Sequence, residues 1–188
     1  MSLIKFTLCI VIILSSTIAF NDESMAGDIT RDGRLYISGK IGLGVGGPAI
    51  SQMDINNESA AYLGIDINAG YRFSNRFSTE INIENAINSH LVLDTGFRID
   101  VSKKAYLKAK AGITSWQVDS SNLEDDKLGN KVNFAGSNVG IVYGYDYYSN
   151  QNVNSGIELA VTQHTVNHHE LGEASFNTIS VGWISTIR

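Results

Sequence analysis

The 188-residue chain holds one cysteine and one proline, and each scarcity excludes something. Cys9 lies inside an apolar stretch at the start, so the remainder of the chain forms no disulfide and carries no thiolate chemistry. It also sits too early in that stretch for a lipoprotein box. Pro48 is the only residue without a backbone N–H to give to a ladder, which suits a chain that is mostly sheet. No internal apolar run is long enough for a membrane helix. That does not exclude membrane strands, because a barrel strand shows lipid only every second residue. Cations are also scarce. With 14 Lys and Arg against 19 Asp and Glu, the net charge is -5, which argues against binding nucleic acid through its phosphates.

The N-terminus reads as a separate object. Lys5 supplies a basic region and Phe6 to Phe20 an apolar one, and small residues follow. This pattern predicts a secretory signal peptide within residues 1–26, cleaved after Ala19 (Thr17 at -3) or after Ala26 (Ser24 at -3). The alternative is an uncleaved anchor helix. A polar leader, Asn21 to Arg34, precedes one domain over residues 34–188.

That domain alternates. From Ala61 to Phe73 every odd position is apolar, and Tyr62, Gly64, Asp66, Asn68, Gly70 and Arg72 lie between them. Ser74, Asn75 and Arg76 make a turn. The chain returns with Phe77, Thr79, Ile81 and Ile83 on one face and Ser78, Glu80, Asn82 and Glu84 on the other. A period of two predicts strands with one apolar and one polar face. The pattern recurs over Leu35–Val45, His90–Val101, Tyr106–Trp116, Ser137–Tyr147, Val153–His164 and Phe176–Ile187. Gly39 interrupts the first apolar row and marks a bulge there. Short connections follow strands two, four and six. Long ones, Gly46–Ser59, Gln117–Gly136 and Thr165–Ala174, follow strands one, five and seven, and the one after strand three, Asn85–Ser89, is intermediate.

Eight strands of this length, an even number, and connections alternating in length predict an all-β, eight-stranded antiparallel up-and-down transmembrane β-barrel. In that arrangement apolar residues face lipid, and the lumen receives a charge network of Lys40, Asp66, Arg72, Glu80, Glu84, Asp94, Arg98, Asp100, Lys108, Lys110, Asp146 and Glu158. Glycines on the same parity make room for these long side chains. A soluble barrel with the faces reversed is the competing reading; the signal peptide, the connections and the aromatics decide against it. Tyr71, Phe73, Phe77, Tyr106, Tyr147 and Tyr148 form an interfacial belt at the short-turn end. A turn centred on Lys104 sets Asp100 directly opposite Lys108.

The phrases GYRFSNRFSTEINIE (Gly70–Glu84), KAYLKAKAGITSW (Lys104–Trp116), VGIVYGYDYYSNQNV (Val139–Val153) and ISVGWISTIR (Ile179–Arg188) resemble the eight-stranded transmembrane domain of the outer membrane protein A family and the small opacity-type surface antigens of Gram-negative bacteria. The resemblance spans about Arg34 to Arg188. It implies a bacterial outer-membrane location, a monomer, and contact with outer-membrane lipid and lipopolysaccharide; the even strand number returns both termini to the periplasm. It also implies insertion by the barrel assembly machinery, guided by a last strand of the form polar-x-Gly-x-x-apolar-x-aromatic. Ser180, Gly182 and Ile187 fit that form, whereas Ser185 takes an apolar slot and Arg188 stands where Phe or Trp is usual.

Chemistry-bearing residues are few. His164, His168, His169 and Glu170 invite a metal reading, but lack the fixed spacing of a zinc site and read as an exposed polar loop. Glu124, Asp125 and Asp126 read as a solvated run rather than a calcium site. A lipid hydrolase could pair His164 with Ser175 or Ser115, but no strand carries a nucleophile phrase. The expectation is therefore no catalytic residue, no cofactor and no metal. Three function classes remain: a surface-interaction protein whose loops touch a host or cell-surface ligand, a narrow pore, and an outer-membrane lipid enzyme. The first is preferred.

Overall fold

Alternation in sequence becomes a wall with two sides. The computed structural model describes residues 34–47, 61–87, 89–119, 131–149, 153–169 and 172–187. The signal-peptide region and the acidic run Glu124–Asp126 lie outside them. Eight strands follow in order: β1 (Arg34–Val45), β2 (Ala61–Arg72), β3 (Phe77–Ala86), β4 (His90–Asp100), β5 (Ala105–Asp119), β6 (Lys131–Ser149), β7 (Val153–His168) and β8 (Gly172–Ile187). Each pairs antiparallel with its chain neighbours, and β8 closes on β1 through rungs such as Ile41 with Trp183. The fold is a closed eight-stranded antiparallel barrel. In β2 burial alternates at every residue: Ile67 is 61% exposed and the next residue, Asn68, 3%. Apolar side chains cover the outside through the middle of every strand, and the charged ones are enclosed.

The barrel has a turn end, where 73–76, 101–104 and 150–152 connect strands, and an opposite loop end. Strands β1 to β4 have 12, 12, 10 and 11 residues, whereas β5 to β8 have 15, 19, 16 and 16. Apart from the last four residues of β6, which run past β5 at the turn end, the extra length stands as a raised wall at the loop end, and polarity reverses there. Outward positions are Ser115, Gln117, Asn133, Ser137, Gln163, Thr165, Asn167, Ser175 and Asn177. Inward positions are Trp116, Val132, Phe134, Val166, Ala174 and Phe176, all buried. Below this level the apolar side faces out; above it the apolar side faces in, as in a water-soluble sheet.

The reversal corrects three boundaries. Thr165–Ala174 is not a long loop: Thr165 pairs with Ser175, Val166 with Ala174, Asn167 with Glu173 and His168 with Gly172, so only 169–171 connect the strands. Gln117–Gly136 likewise contracts, because Gln117 pairs with Asn133 and Asp119 with Lys131. Asn85 and Ala86 belong to β3. In the first two segments the outward row is polar, so the apolar signature of the lower wall is absent.

Other expectations change in detail. Gly39 pairs in register with Ile67 and Ser185 and marks no bulge; the register shift of β6 on β7 lies between Asp146 and Tyr148. The β4–β5 turn is centred one residue earlier than Lys104. Val101 and Ser102 N–H both donate to Ala105 O, and the Ser102 hydroxyl accepts from Lys104 and Ala105 N–H. Arg98 therefore faces Lys108, and Asp100 faces Tyr106. Tyr106 also leaves the expected outer belt: it is 1% exposed, inside the barrel, because its parity is that of Lys108 and Lys110. Tyr71, Phe73, Phe77, Tyr147 and Tyr148 are on the outside at the turn end.

Candidate functional site

The lumen is where the chain concentrates its chemistry. All twelve charged residues singled out in the sequence point into it, five cations and seven carboxylates. Charge enclosed by a low-dielectric wall is tolerable only when paired and hydrogen-bonded, and the pairs form three tiers. At the turn end Asp100 takes Arg72 at 2.5 Å and Arg98 at 2.8 Å, and Arg98 reaches Asp146 at 3.7 Å. At mid-height Lys108 sits between Glu80 (2.6 Å) and Glu158 (3.1 Å), and Lys40 pairs with Asp66 and lies 3.5 Å from Glu158. Above them Lys110 joins Asp94 (3.2 Å) and Glu84 (3.5 Å), while Asn82 donates to the other oxygen of Asp94.

Tyrosines hold these tiers in place. The Tyr36 hydroxyl donates to Glu80 and the Tyr106 hydroxyl to Glu158, both at 2.7 Å. Each ring lies over a glycine directly across the ladder: Tyr36 over Gly70, Tyr106 over Gly144 and, nearer the loop end, Tyr62 over Gly44. A Cβ at Gly144 would stand 2.0 Å from the Tyr106 ring. These three glycines make room for rings, while Gly96 and Gly182 make room for the long side chains of Lys108 and Lys40, as the sequence pattern implies. The Arg98 guanidinium covers Tyr106 at 3.5 Å from its centroid, so that ring lies between a cation and a glycine.

A layer of rings covers the ion pairs at the loop end. Trp116 stacks on His90 at 4.0 Å and meets Phe176 edge-on at 4.8 Å. His164 stacks on Phe176 at 5.1 Å, and Tyr62 stands edge-on to His90 at 4.7 Å. Trp116 Nε1 donates to His164 Nδ1 at 3.4 Å, which leaves Nε2 as the donor to Thr178 Oγ1 at 3.2 Å. His90 links the layers, with Nε2 at 3.3 Å from Glu84. The sequence reading missed this layer. His164 was assigned to an exposed polar loop but is 1% exposed. The signal was present in Trp116, Phe134, Val166 and Phe176, which share the parity of the charged residues below.

The facing also bears on hydrolysis. His164 lies inside the wall while Ser115 and Ser175 are exposed on its outer face, so neither serine pairs with that histidine. His168 and His169 sit at the rim with rings 4.4 Å apart. Among the described residues no group of three or more His, Cys, Asp or Glu is arranged to hold a metal ion; Glu170 lies outside them. What the lumen can do chemically is fix charge: it is occupied by paired ions through its height and closed by aromatic rings at one end.

No protein-family model matches the sequence, and no curated protein matches it. Solved structures do. Neisserial surface protein A is similar with a TM-score of 0.59 and 13% identity, over 81% of this chain and 96% of that one. The attachment invasion locus protein Ail of Yersinia pestis gives 0.49 and 10%, over 81% and 99%. OprG of Pseudomonas aeruginosa gives 0.43 and 10%, over 85% and 98%. At such identities the likeness concerns the fold, which is that of the small eight-stranded outer-membrane barrels.

Proposed function

We propose that this chain is a Gram-negative outer-membrane barrel of the outer membrane protein A-like or opacity type. In this reading it is a non-enzymatic monomer with both termini periplasmic, and it acts in surface structure and in interaction or adhesion through its loop end. The observation that carries the reading is the pair of opposite polarities along one wall. An apolar outer face such as Leu63, Ile65, Ile67 and Ile81, 38–61% exposed, suits acyl chains. The raised part of β5–β8, polar outside and apolar inside, suits water beyond the membrane. Lipid and lipopolysaccharide then surround the barrel, the barrel assembly machinery inserts it, and a host or cell-surface ligand meets the raised wall and its connections.

The filled lumen supports this class over the narrow pore. A transiting ion would have to displace Lys108 from Glu80 and Glu158 and then part Trp116 from His90. The separation of His164 from Ser115 and Ser175 supports it over a lipid hydrolase.

The test is a transplant. Residues 46–60 and 113–139 with 163–177, moved onto an inert eight-stranded barrel, carry adhesion to host cells with them if the reading holds. Adhesion that stays behind refutes it, as does steady single-channel conductance from the purified chain.

A further inference from the structure

We propose that the turn end carries a docking site for an anionic glycerophospholipid, made by Arg76, Lys103 and Lys104 above the ring cluster Phe73, Phe77 and Phe97. The inference rests on the membrane-barrel reading and adds a lipid class, a leaflet and the residues that select it.

The site is assembled from two neighbouring turns. Arg76 precedes β3 and its carbonyl accepts Asp100 N–H at 2.8 Å, which fixes the β2–β3 turn against the end of β4. Lys103 and Lys104 belong to the next turn, and the Lys104 carbonyl accepts Asp146 N–H at 2.6 Å. All three side chains are exposed. Among the described residues at this end the only carboxylates are Asp100 and Asp146. Both turn inward, where Arg72, Arg98 and Asn154 occupy their oxygens. The turns therefore present positive charge outward, with no outward acid beside it among the described residues.

Directly below, on the outer face, three phenylalanines form one patch. Phe73 and Phe77 stack at 6.2 Å, Phe77 and Phe97 at 5.8 Å, and Phe73 and Phe97 lie 6.1 Å apart. They are 37–44% exposed, and their rings lack the hydroxyl with which Tyr71, Tyr147 and Tyr148 can meet water elsewhere on this belt. A ligand that fits has a phosphate at the height of the cations and an acyl chain running down the rings. That describes a lipid with a net negative headgroup, in the leaflet that the turn end faces. A zwitterionic headgroup brings its own cation against Lys103 and Lys104 and is disfavoured.

Each basic residue near an anionic surface is worth roughly a fivefold preference, so three give a preference on the order of a hundredfold at low salt, fading as salt rises.

The full chain is folded into vesicles of phosphatidylcholine containing a minor fraction of phosphatidylglycerol, then released in mild detergent. Retained lipids are counted by native mass spectrometry. The expected result is phosphatidylglycerol enriched at least tenfold over its share of the vesicle. Enrichment should fall to the vesicle ratio in Arg76→Ser/Lys103→Ser/Lys104→Ser and stay intact in Lys131→Ser, whose residue is at the other end. The unheated gel shift of each variant reports barrel formation separately. Folded wild type that retains both lipids equally overturns the site and leaves the barrel standing, as does an unchanged enrichment in the triple variant. With an acidic glycan-peptide fragment added to the same vesicles, its retention in place of phosphatidylglycerol, dependent on the same cations, overturns the lipid site in favour of a cell-wall contact. A chain that never gives the shifted band in any lipid overturns the membrane reading and the site with it.

Discussion

Replacing Lys108 with Met removes one cation from the middle of the lumen and keeps the length of the side chain. Lys108 is 4% exposed, with its ammonium at 2.6 Å from Glu80 and 3.1 Å from Glu158. Without it, among the described residues, Glu80 keeps the Tyr36 hydroxyl as its hydrogen-bond partner, and Glu158 keeps Tyr106 and a 3.5 Å contact to Lys40. Removing one partner of a buried pair costs about 3–5 kcal/mol, because the remaining charge stays enclosed. Glu80→Gln in the same chain takes one of the two stranded charges away, and its amide oxygen still accepts from Tyr36. The double variant is therefore expected to be more stable than Lys108→Met alone, with a coupling of about 1–3 kcal/mol in the cycle. Asp100, which the register puts opposite Tyr106, should show no coupling to Lys108. Urea titration in lipid vesicles, read by the fraction of protein migrating as the compact unheated band, gives all the corners. The reasoning is refuted if Lys108→Met unfolds at the wild-type midpoint, or if Lys108 couples to Asp100 and not to Glu80.

Further expectations use the same assay unless stated. Ile67→Arg, on the outer face, should cost about 2–4 kcal/mol, whereas Asn68→Ser should cost much less; equal costs would invert the facing. Gly144→Ala pushes a methyl into the Tyr106 ring and should cost about 1–3 kcal/mol through overpacking. Gly39→Ala, with nothing within 4 Å of the added carbon, should be neutral or stabilise by about 0.4–1 kcal/mol. An epitope inserted at 169–171 should be tolerated and reached by antibody on intact cells. One inserted at Asn167, which pairs with both Ala135 and Glu173, should abolish the compact band.

The lower wall was legible because lipid and lumen demand opposite chemistry of alternate residues. Leu63, Ile65 and Ile67 could face only one way once Asp66 and Asn68 lay between them. Strand count, order and the inward direction of all twelve charges follow from that one rule. The rule carries no information on which charge meets which. Lys108 was matched to Asp100 on a turn centred one residue too late, and the Ser102 hydroxyl that sets the true centre leaves no trace in a hydropathy pattern. Pairs such as Lys108 with Glu158 join β5 to β7 across the lumen, where sequence spacing says nothing. The upper wall was misread for a different reason. Above the reversal, a strand such as Thr165–His168 shows polar residues outside and an apolar one inside. With Val166 as its one apolar residue among Thr165, Asn167 and His168, it reads as loop. His164 ends the strand read just before that stretch and groups by residue type with His168 and His169, which hides a buried ring bonded to Trp116 and Thr178.

The central claim, a barrel crossing the outer membrane with its raised wall outward, is tested most directly by thiol labelling on intact cells. Single cysteines replace Glu173, exposed at the loop end, and Asn75, exposed at the turn end, in a chain with Cys9 changed to Ser, and a membrane-impermeant maleimide is added before and after the outer membrane is opened. The account predicts that Glu173→Cys is labelled on intact cells and Asn75→Cys only after opening. Labelling in the reverse order would contradict the orientation, and protection of both positions until the cells are broken would contradict the outer-membrane barrel itself.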